Sequence, residues 1–177
     1  MENAIAASTV ALRSGVDPEL LRKGLDSFKG VARRFQMRLQ GPRVVLIDDY
    51  AHHPKELEAC IGSVREMYPG KRITGIFQPH LFTRTRDLAS DFGASLAALD
   101  ELLLLEIYPA REEPIAGINS AWLLGHVNMA DKTLCTHEGL LDELARRETQ
   151  VVLTMGAGDI DRLVPRIERL LNERNRP

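Results

Sequence analysis

The spacing of apolar residues changes from one segment of this chain to the next, and each spacing predicts a helix or a strand. Residues 2–13 are rich in alanine and other strong helix formers. Asp17 followed by Pro18 has the pattern of a helix N-cap with proline at the first helical position, so a second short helix is predicted there. Because two short helices bury little apolar surface, we interpret residues 1–30 as the last helices of a preceding domain plus a linker.

The rest of the chain predicts a series of strands and helices. A first strand is predicted at 33–40, where Phe35, Met37 and Leu39 alternate with polar residues. A Gly-Pro turn separates it from a second, apolar strand at 44–50, and the two are predicted to pair antiparallel. Further strands are predicted at 72–79, 101–109, 132–137 and 151–156, and helices at 53–68, 85–99, 120–129, 138–147 and 159–174.

This alternation predicts an α/β fold with a mostly parallel sheet and helices on both faces. In such a sheet, ligands bind outside the carboxyl ends of the strands. Four polar segments follow predicted strands: DDYAHH after VVLI, QPHLFTRTRD after RITGIF, EIYPAREEP after ELLLL, and GAGD after VVLTM. We therefore expect all four segments to open on the same edge of the sheet.

Composition and charge narrow the class of protein. The 177 residues are 44% hydrophobic, which is enough for the core of one domain plus a fragment. The net charge of −2 does not favour a nucleic-acid partner. Cys60 and Cys135 lie far apart without metal-type spacing, which is typical of small apolar groups in a reducing, cytoplasmic compartment. No apolar run approaches the roughly 18 residues of a membrane span, and there is no signal-peptide pattern.

The segment DDYAHHPKE concentrates titratable side chains at one strand exit. Asp48 and Asp49 point to opposite faces of the strand, so one could bind a ribose hydroxyl while the other caps a helix. His52 and His53 are adjacent, which is poor spacing for two ligands of one metal ion. Four interpretations of this segment therefore stay open. It could be a metal site, an acid–base pair, a surface that recognises a charged ligand, or a simple capping loop with His53 near the N-cap.

Two other strand exits carry cations or glycines. His80, Arg84 and Arg86 follow the third strand, and arginine binds carboxylates and phosphates bidentately. This segment predicts either an anion site or a pair of surface arginines with Asp87 as charge partner. GAGDI could bind phosphate through backbone N–H groups, but it is not a P-loop, and a tight turn with Asp159 as N-cap is favoured.

Five segments together resemble the C-terminal part of the Mur ligase family. GVARRF, DDYAHHPKE, FQPHLFTRTRD, LLEIYPAREEPIAG and TMGAGDI occur in the order, and at the intervals, of the family's alanine-adding branch. ENAIAAS is similar to the start of the last helices of the family's central ATPase domain. The resemblance implies that residues 1–30 belong to that central domain and that residues 31–177 form a three-layer αβα, Rossmann-like domain. It also implies that the chain is a piece of a larger enzyme.

The resemblance further implies ATP-dependent amide formation. For the alanine-adding branch it implies that the lactyl carboxylate of UDP-N-acetylmuramate becomes an acyl phosphate, which the amine of L-alanine attacks. ATP and Mg²⁺ are bound mainly by the central domain, so no catalytic or metal-binding residue is expected here, and the other partners are the remaining domains of the polypeptide. The motifs assign two residues to the nucleotide, Arg34 and Asp49. They assign four to the alanine and muramyl end: Tyr50, His52, His80 and Arg84.

One position departs from the family pattern. Many members carry arginine after the histidine of QPH, whereas this chain has Leu81, so one anion contact is missing or comes from elsewhere, with Arg86 as a candidate. Two alternatives to a ligase piece stay open. One is a non-catalytic nucleotide-binding module. The other is a metal-dependent hydrolase that would use Asp48, Asp49, His52 and His53.

Overall fold

The structure is a computed structural model that describes residues 2–176. It divides into two compact units, the first ending at Val31 and the second beginning at Ala32. The first unit contains α1 (Glu2–Arg13) and α2 (Pro18–Ser27). The carboxylate of Asp17 accepts hydrogen bonds from two backbone N–H groups in the first turn of α2, which confirms the predicted N-cap.

The second unit is built on a six-stranded sheet. Its strands are β1 (Gln36–Gln40), β2 (Val45–Asp49), β3 (Ile73–Phe77), β4 (Glu101–Leu104), β5 (Lys132–Leu134) and β6 (Val151–Met155). The spatial order is β1-β2-β6-β3-β4-β5, and every neighbouring pair is parallel except the antiparallel pair of β1 and β2. The prediction of a mostly parallel sheet with one antiparallel strand is therefore confirmed.

Helices cover both faces of this sheet. They are α3 (Pro54–Met67), α4 (Phe82–Asp87), α5 (Ala89–Leu96), α6 (Ser120–Leu124), α7 (Leu140–Ala145) and α8 (Val164–Arg174). One apolar cluster joins one sheet face to α3, α5 and α6, and a second joins the other face to α7 and α8. These three layers confirm the predicted αβα architecture. Within residues 2–176, no helix is both long and apolar enough to cross a membrane.

The helix predicted at 85–99 is in fact two helices. α4 begins three residues earlier than predicted, at Phe82, so Arg84 lies in the helix and not in the loop before it. Leu88 has non-helical dihedral angles of φ −116° and ψ 19° and separates α4 from α5. The sequence 85–99 contains no glycine or proline at this break, so helix propensity alone gives no signal for it.

The helix predicted at 159–174 is also divided. Pro165 lies in the first turn of α8, where its missing N–H costs nothing. The residues before it form a separate 3-10 turn, Asp159–Arg162. The helix predicted at 120–129 is shorter than expected, because the regular helix ends at Leu124.

Candidate functional site

The predicted polar segments meet at one edge of the sheet. The parallel strands β2, β6, β3 and β4 are neighbours in that order, so their carboxyl ends lie side by side. DDYAHH leaves β2, GAGD leaves β6, QPHLF leaves β3 and EIYP leaves β4. The prediction that these four segments open on a common edge is confirmed.

Three predicted site residues and one further tyrosine form an aromatic row along this edge, made of Tyr50, His52, His80 and Tyr108. The ring centroids are 5.2 Å apart for Tyr50 and His52, and 6.0 Å apart for His52 and His80. His80 and Tyr108 are stacked at 5.7 Å with an interplanar angle of 24°. Nη1 of Arg84 lies 3.5 Å from Nδ1 of His80. The structure thus brings together the four residues that the motifs assigned to alanine and the muramyl end.

The start of α3 fixes His52 in this row. His53 is the N-cap of α3, and the carboxylate of Glu56 accepts hydrogen bonds from the backbone N–H groups of His52 and His53, at 2.9 and 3.2 Å. Burial alone would raise the pKa of Glu56, but these bonds and the neighbouring His52 ring lower it overall. Nδ1 of His52 lies 2.9 Å from the carbonyl oxygen of Tyr50. The predicted capping role therefore belongs to His53, while His52 faces the other rings.

Asp49 stabilises the backbone around the strand exit. One carboxylate oxygen accepts from the N–H of Ala51 at 2.7 Å and the other from the N–H of Phe35 at 2.6 Å. These bonds join the exit of β2 to the segment that enters β1. A carboxylate has about four lone-pair sites, so a nucleotide contact by Asp49 would use the remaining ones.

Asp48 points to the opposite side of β2 and is buried. Its carboxylate accepts from the hydroxyl of Thr154 at 2.6 Å and forms an ion pair with Nε of Arg33 at 3.3 Å. Arg33 also donates to the carbonyl oxygen of Gly156 at 2.6 Å. Burial raises the pKa of Asp48, and the contacts with Thr154 and Arg33 only partly oppose that shift. Asp48 and Asp49 therefore serve two separate bonding networks, as their opposite strand directions predicted.

Two consecutive arginines lie beside Tyr50. The guanidinium carbon of Arg33 is 5.2 Å from the ring centroid of Tyr50, and that of Arg34 is 5.4 Å away. Arg33 is half-buried and engaged with Asp48, whereas Arg34 is exposed. The motifs point to Arg34 and give no signal for Arg33, because nothing in two adjacent arginines indicates which one turns inward.

The two arginines of α4 differ in their surroundings. Arg86 is exposed and pairs with Asp87 at 2.7 Å, as the surface alternative predicted, so it is a poor substitute for the missing anion contact. Arg84 is half-buried and, among residues 2–176, has no carboxylate within 4 Å. Burial, with the nearby charges of Arg84 and His52, lowers the pKa of His80, and the carboxylate of Glu112 opposes this shift only in part, so the imidazole is mostly neutral at pH 7.

The GAGDI segment differs from its prediction. Gly158 occupies the cap position of the 3-10 turn, so the prediction that Asp159 is the N-cap is wrong. The carboxylate of Asp159 instead accepts from Nε2 of Gln78 at 2.8 Å and lies 3.1 Å from Nε2 of His137. Oε1 of Gln78 accepts from the N–H of Ile160 at 2.9 Å, so this buried glutamine joins the exit of β3 to the turn after β6.

The residues of the hydrolase alternative do not converge on one point. Asp48 bonds inward to Thr154, Asp49 bonds to the backbone on the other side of the strand, and His53 caps α3. The described part of the chain contains no group of three or more His, Cys, Asp or Glu side chains that could hold a metal ion. The functional groups that do come together at this edge are guanidinium groups and aromatic rings.

The chain is similar to known proteins along most of its length. The family described as Mur ligase, glutamate ligase domain, matches residues 33–158. A UDP-N-acetylmuramate–L-alanine ligase from Parabacteroides distasonis is 56% identical over 171 residues, which are 97% of this chain and 37% of the relative. The chain therefore spans well under half the length of that relative.

Two crystal structures have similar folds. The UDP-N-acetylmuramate-alanine ligase MurC from Thermotoga maritima matches with a TM-score of 0.71 at 27% identity, over 97% of this chain and 37% of that chain. The MurF ligase from Thermotoga maritima in complex with ADP matches with a TM-score of 0.62 at 22% identity, over 96% of this chain and 38% of that chain. Because its identity is only 22%, the second match supports a shared fold and nothing further.

Proposed function

The chain belongs to the Mur ligase family, and on that premise we propose that it is the amino-acid-binding part of an ATP-dependent ligase that joins L-alanine to UDP-N-acetylmuramate in peptidoglycan synthesis. The 56% identity to a relative of that name over 97% of the chain supports this choice of substrates. Because the chain covers 37% of that relative, we assign binding of the UDP-sugar, of Mg²⁺ and of most of the ATP to the remainder. The isolated 177-residue chain is expected to hydrolyse no ATP.

We also propose that the first unit belongs with the central ATPase domain. α2 has no buried residue, and several large apolar side chains of this unit are exposed: Ile5, Val10, Leu12, Leu20, Leu25 and Phe28. Apolar side chains at this density are typical of a surface that another part of the protein covers. The family match begins at residue 33, which supports a boundary near residue 31. The free, buried thiols of Cys60 and Cys135 agree with a cytoplasmic enzyme.

In the proposed reaction, ATP transfers its γ-phosphoryl group to the lactyl carboxylate of UDP-N-acetylmuramate, which gives ADP and an acyl phosphate. The amine of L-alanine then attacks the acyl carbon, the amide bond forms and inorganic phosphate leaves. Mg²⁺ on the phosphates would neutralise their charge. The contribution of this chain is to hold L-alanine so that its amine points at the acyl carbon, and such positioning supplies a large part of enzymatic rate enhancement.

The observation that carries this proposal is the pair formed by Arg84 and His80. Arg84 is a half-buried cation with no carboxylate within 4 Å among residues 2–176, so the carboxylate of L-alanine would satisfy it through two parallel hydrogen bonds. His80 lies 3.5 Å away and is neutral at pH 7, because burial lowers its pKa. A neutral imidazole adds a hydrogen-bonding group without a second charge. The pair therefore suits one carboxylate better than a phosphate group.

The other predicted residues extend this assignment along the edge. We assign Tyr50 and His52 to the space between L-alanine and the muramyl group, since both belong to the aromatic row that contains His80. We assign Arg34 and Asp49 to the nucleotide. The exposed guanidinium of Arg34 can contact phosphate oxygens, while Asp49 holds the backbone beneath it and keeps free lone pairs for a ribose hydroxyl.

The test compares Arg84→Ala with Arg86→Ala in the full-length ligase. Loss of a charge-assisted contact costs about 1.5–3 kcal/mol, so Arg84→Ala should raise the KM for L-alanine by about 10- to 150-fold. The KM for ATP should change little. Arg86→Ala is the matched control, because it removes an exposed arginine of the same helix that already pairs with Asp87. Unchanged KM and kcat in Arg84→Ala would remove Arg84 from the site.

A further inference from the structure

Tyr108 is paired with the segment that carries His80 through its backbone. The N–H of Tyr108 donates to the carbonyl oxygen of Pro79 at 2.8 Å, and its carbonyl oxygen accepts from the N–H of Leu81 at 3.0 Å. His80 and Tyr108 thus form a parallel bridge beyond the ends of β3 and β4. The backbone on both sides of His80 is therefore held by a single residue of the neighbouring strand exit.

The ring of Tyr108 also sets the plane of the imidazole. It stacks on His80 at 5.7 Å with an interplanar angle of 24°, and His52 approaches His80 edge-on at 6.0 Å and 67°. Aromatic rings prefer offset-stacked or edge-to-face arrangements, and His80 makes one contact of each kind. These two contacts constrain the plane of the imidazole before any substrate binds.

Gly158, in the turn after β6, packs closely against the side chain of Tyr108. A Cβ atom at this position would lie 2.6 Å from Cβ of Tyr108, 2.7 Å from its Cγ and 2.4 Å from Oε1 of Gln78. Real Cβ atoms do not come that close, so glycine is required here for space. Its φ of −85° is accessible to any residue, so backbone freedom is not the reason. The turn itself is held by Gln78, which bonds to Asp159 and Ile160.

Leu81 lies between Tyr108 and Arg84 and forms hydrogen bonds that hold the start of α4. It has φ 75° and ψ 133°, a conformation that non-glycine residues rarely adopt. Such strain persists only where the surrounding structure holds it. Here the N–H of Leu81 donates to Tyr108, and its carbonyl oxygen accepts from the hydroxyl and the N–H of Thr85 at 2.8 and 3.1 Å. α4 begins directly after this residue, so the position of Arg84 depends on the same contacts.

We propose that Tyr108 is a positioning residue for the pair of His80 and Arg84. Its ring fixes the plane of the imidazole, and its backbone fixes the strained turn from which α4 and Arg84 start. The inference rests on the proposed function, since it takes His80 and Arg84 as the groups that hold the carboxylate of L-alanine. Tyr108 acts through these two residues and not by contact with the substrate.

The kinetic test uses Tyr108→Leu and Tyr108→Phe in the full-length ligase. A single aromatic contact accounts for an effect of about two- to tenfold, so Tyr108→Leu should raise the KM for L-alanine by that factor and leave the KM for ATP unchanged. Tyr108→Phe keeps the ring and should stay within about twofold of the original enzyme. Gly158→Ala should act in the same direction as Tyr108→Leu. Tyr68→Leu, which removes another partly buried tyrosine that packs against the core, is the control for general destabilisation.

A spectroscopic measurement on the 177-residue chain follows the contact itself. The imidazole proton resonances of His80 should move in Tyr108→Leu, which removes the ring current, and stay in place in Tyr108→Phe. His126 serves as an internal reference, because its own neighbour is Trp122, at 4.4 Å between ring centroids. A readout of this kind separates a displaced imidazole from a loss of folded protein.

Each result decides between two claims. If Arg84→Ala raises the KM for L-alanine and Tyr108→Leu does not, positioning of the pair by the Tyr108 ring is refuted while the proposed function stands. If Arg84→Ala has no effect, the proposed function fails and the role of Tyr108 fails with it. If Tyr108→Leu and Tyr68→Leu lower kcat alike without a selective change in the KM for L-alanine, the effect is one of stability and the proposal is wrong.

Discussion

The ion pair of Arg33 and Asp48 gives a stability prediction in which the two partners behave unequally. The side chain of Asp48 is 3% exposed and that of Arg33 is 18% exposed. Arg33→Ala leaves the carboxylate buried with only the hydroxyl of Thr154 as partner, and it also removes the bond to the carbonyl oxygen of Gly156. Asp48→Asn leaves a neutral amide that still accepts from Thr154, and the more exposed Arg33 can turn partly to water.

The magnitudes follow from this asymmetry. Removing one partner of a fully buried ion pair costs about 3–5 kcal/mol. Because Asp48 can take up a proton when its partner is lost, Arg33→Ala should lower the free energy of unfolding by about 2–4 kcal/mol at pH 7. Asp48→Asn loses one charge-assisted hydrogen bond but no longer buries a charge, so its cost should be about 1 kcal/mol or less.

The pH dependence has a definite sign. Burial raises the pKa of Asp48 in the folded chain above its ordinary value of 3.8. The folded state then binds more protons than the unfolded state between 3.8 and the raised value, so this carboxyl makes the chain less stable as pH rises through that window. The original chain should lose stability relative to Asp48→Asn over the same range. Because Arg33 opposes the shift, the cost of Arg33→Ala should grow as pH rises from 3.8.

The assay is urea unfolding of the 177-residue chain, followed by far-UV circular dichroism at several pH values between 4 and 7. The original chain, Arg33→Ala, Asp48→Asn and the double variant are compared. In the double variant the charge left behind by Arg33→Ala is absent, so its cost should fall below the sum of the two single costs. Equal costs for the two single variants at pH 7, or a larger cost for Asp48→Asn, would refute the reasoning.

Two further predictions concern the exits of β2 and β6. Glu56→Ala removes the acceptor of the α3 capping box and should lower the free energy of unfolding by about 1 kcal/mol. Glu56→Gln keeps an acceptor oxygen and should retain most of this stabilisation. The lowered pKa of Glu56 means that this contribution is present above its ordinary value of 4.5 and is lost as pH falls through the folded value, which a thermal unfolding series would measure. Gly156→Ala should cost more than Glu56→Ala in the same assay. Gly156 has φ 144°, and a Cβ there would lie 2.8 Å from the carbonyl oxygen of Gln78; a smaller cost would contradict this.

Most of the sheet could be predicted from the sequence because β2, β3, β4 and β6 are apolar runs separated by helical segments, while β1 shows the alternation of a half-buried strand. The order of the elements along the chain then fixed which strand exits carry polar segments, and the rule for parallel sheets placed them on one edge. The breaks within helices could not be predicted in the same way. Leu88 separates α4 from α5 without a proline or glycine, and the start of α4 depends on the strained Leu81, which tertiary hydrogen bonds hold.

The membership of the site was only partly predictable. Tyr50, His52, His80 and Arg84 stand in motifs, but Tyr108 and Arg33 take part through pairings that reach past the ends of the strands. Such pairings depend on how far two neighbouring exits continue side by side, which local sequence does not encode. Alternation along a strand predicts that adjacent aspartates diverge, yet it does not say which one is buried.

The arginines of this edge and its surroundings divide into two groups by their internal partners. Arg33 is neutralised by Asp48, Arg38 by Glu168 and Arg86 by Asp87. Within the described residues 2–176, Arg34 and Arg84 form no ion pair within 4 Å, although Glu56 is near enough to Arg34, and Glu112 to Arg84, for their charges to interact. These are the two arginines that the motifs assign to ligands, one to the nucleotide and one to the alanine carboxylate. A chain with a net charge of −2 can therefore present an anion-binding edge, because the local distribution of charge around these two guanidinium groups differs from the total charge.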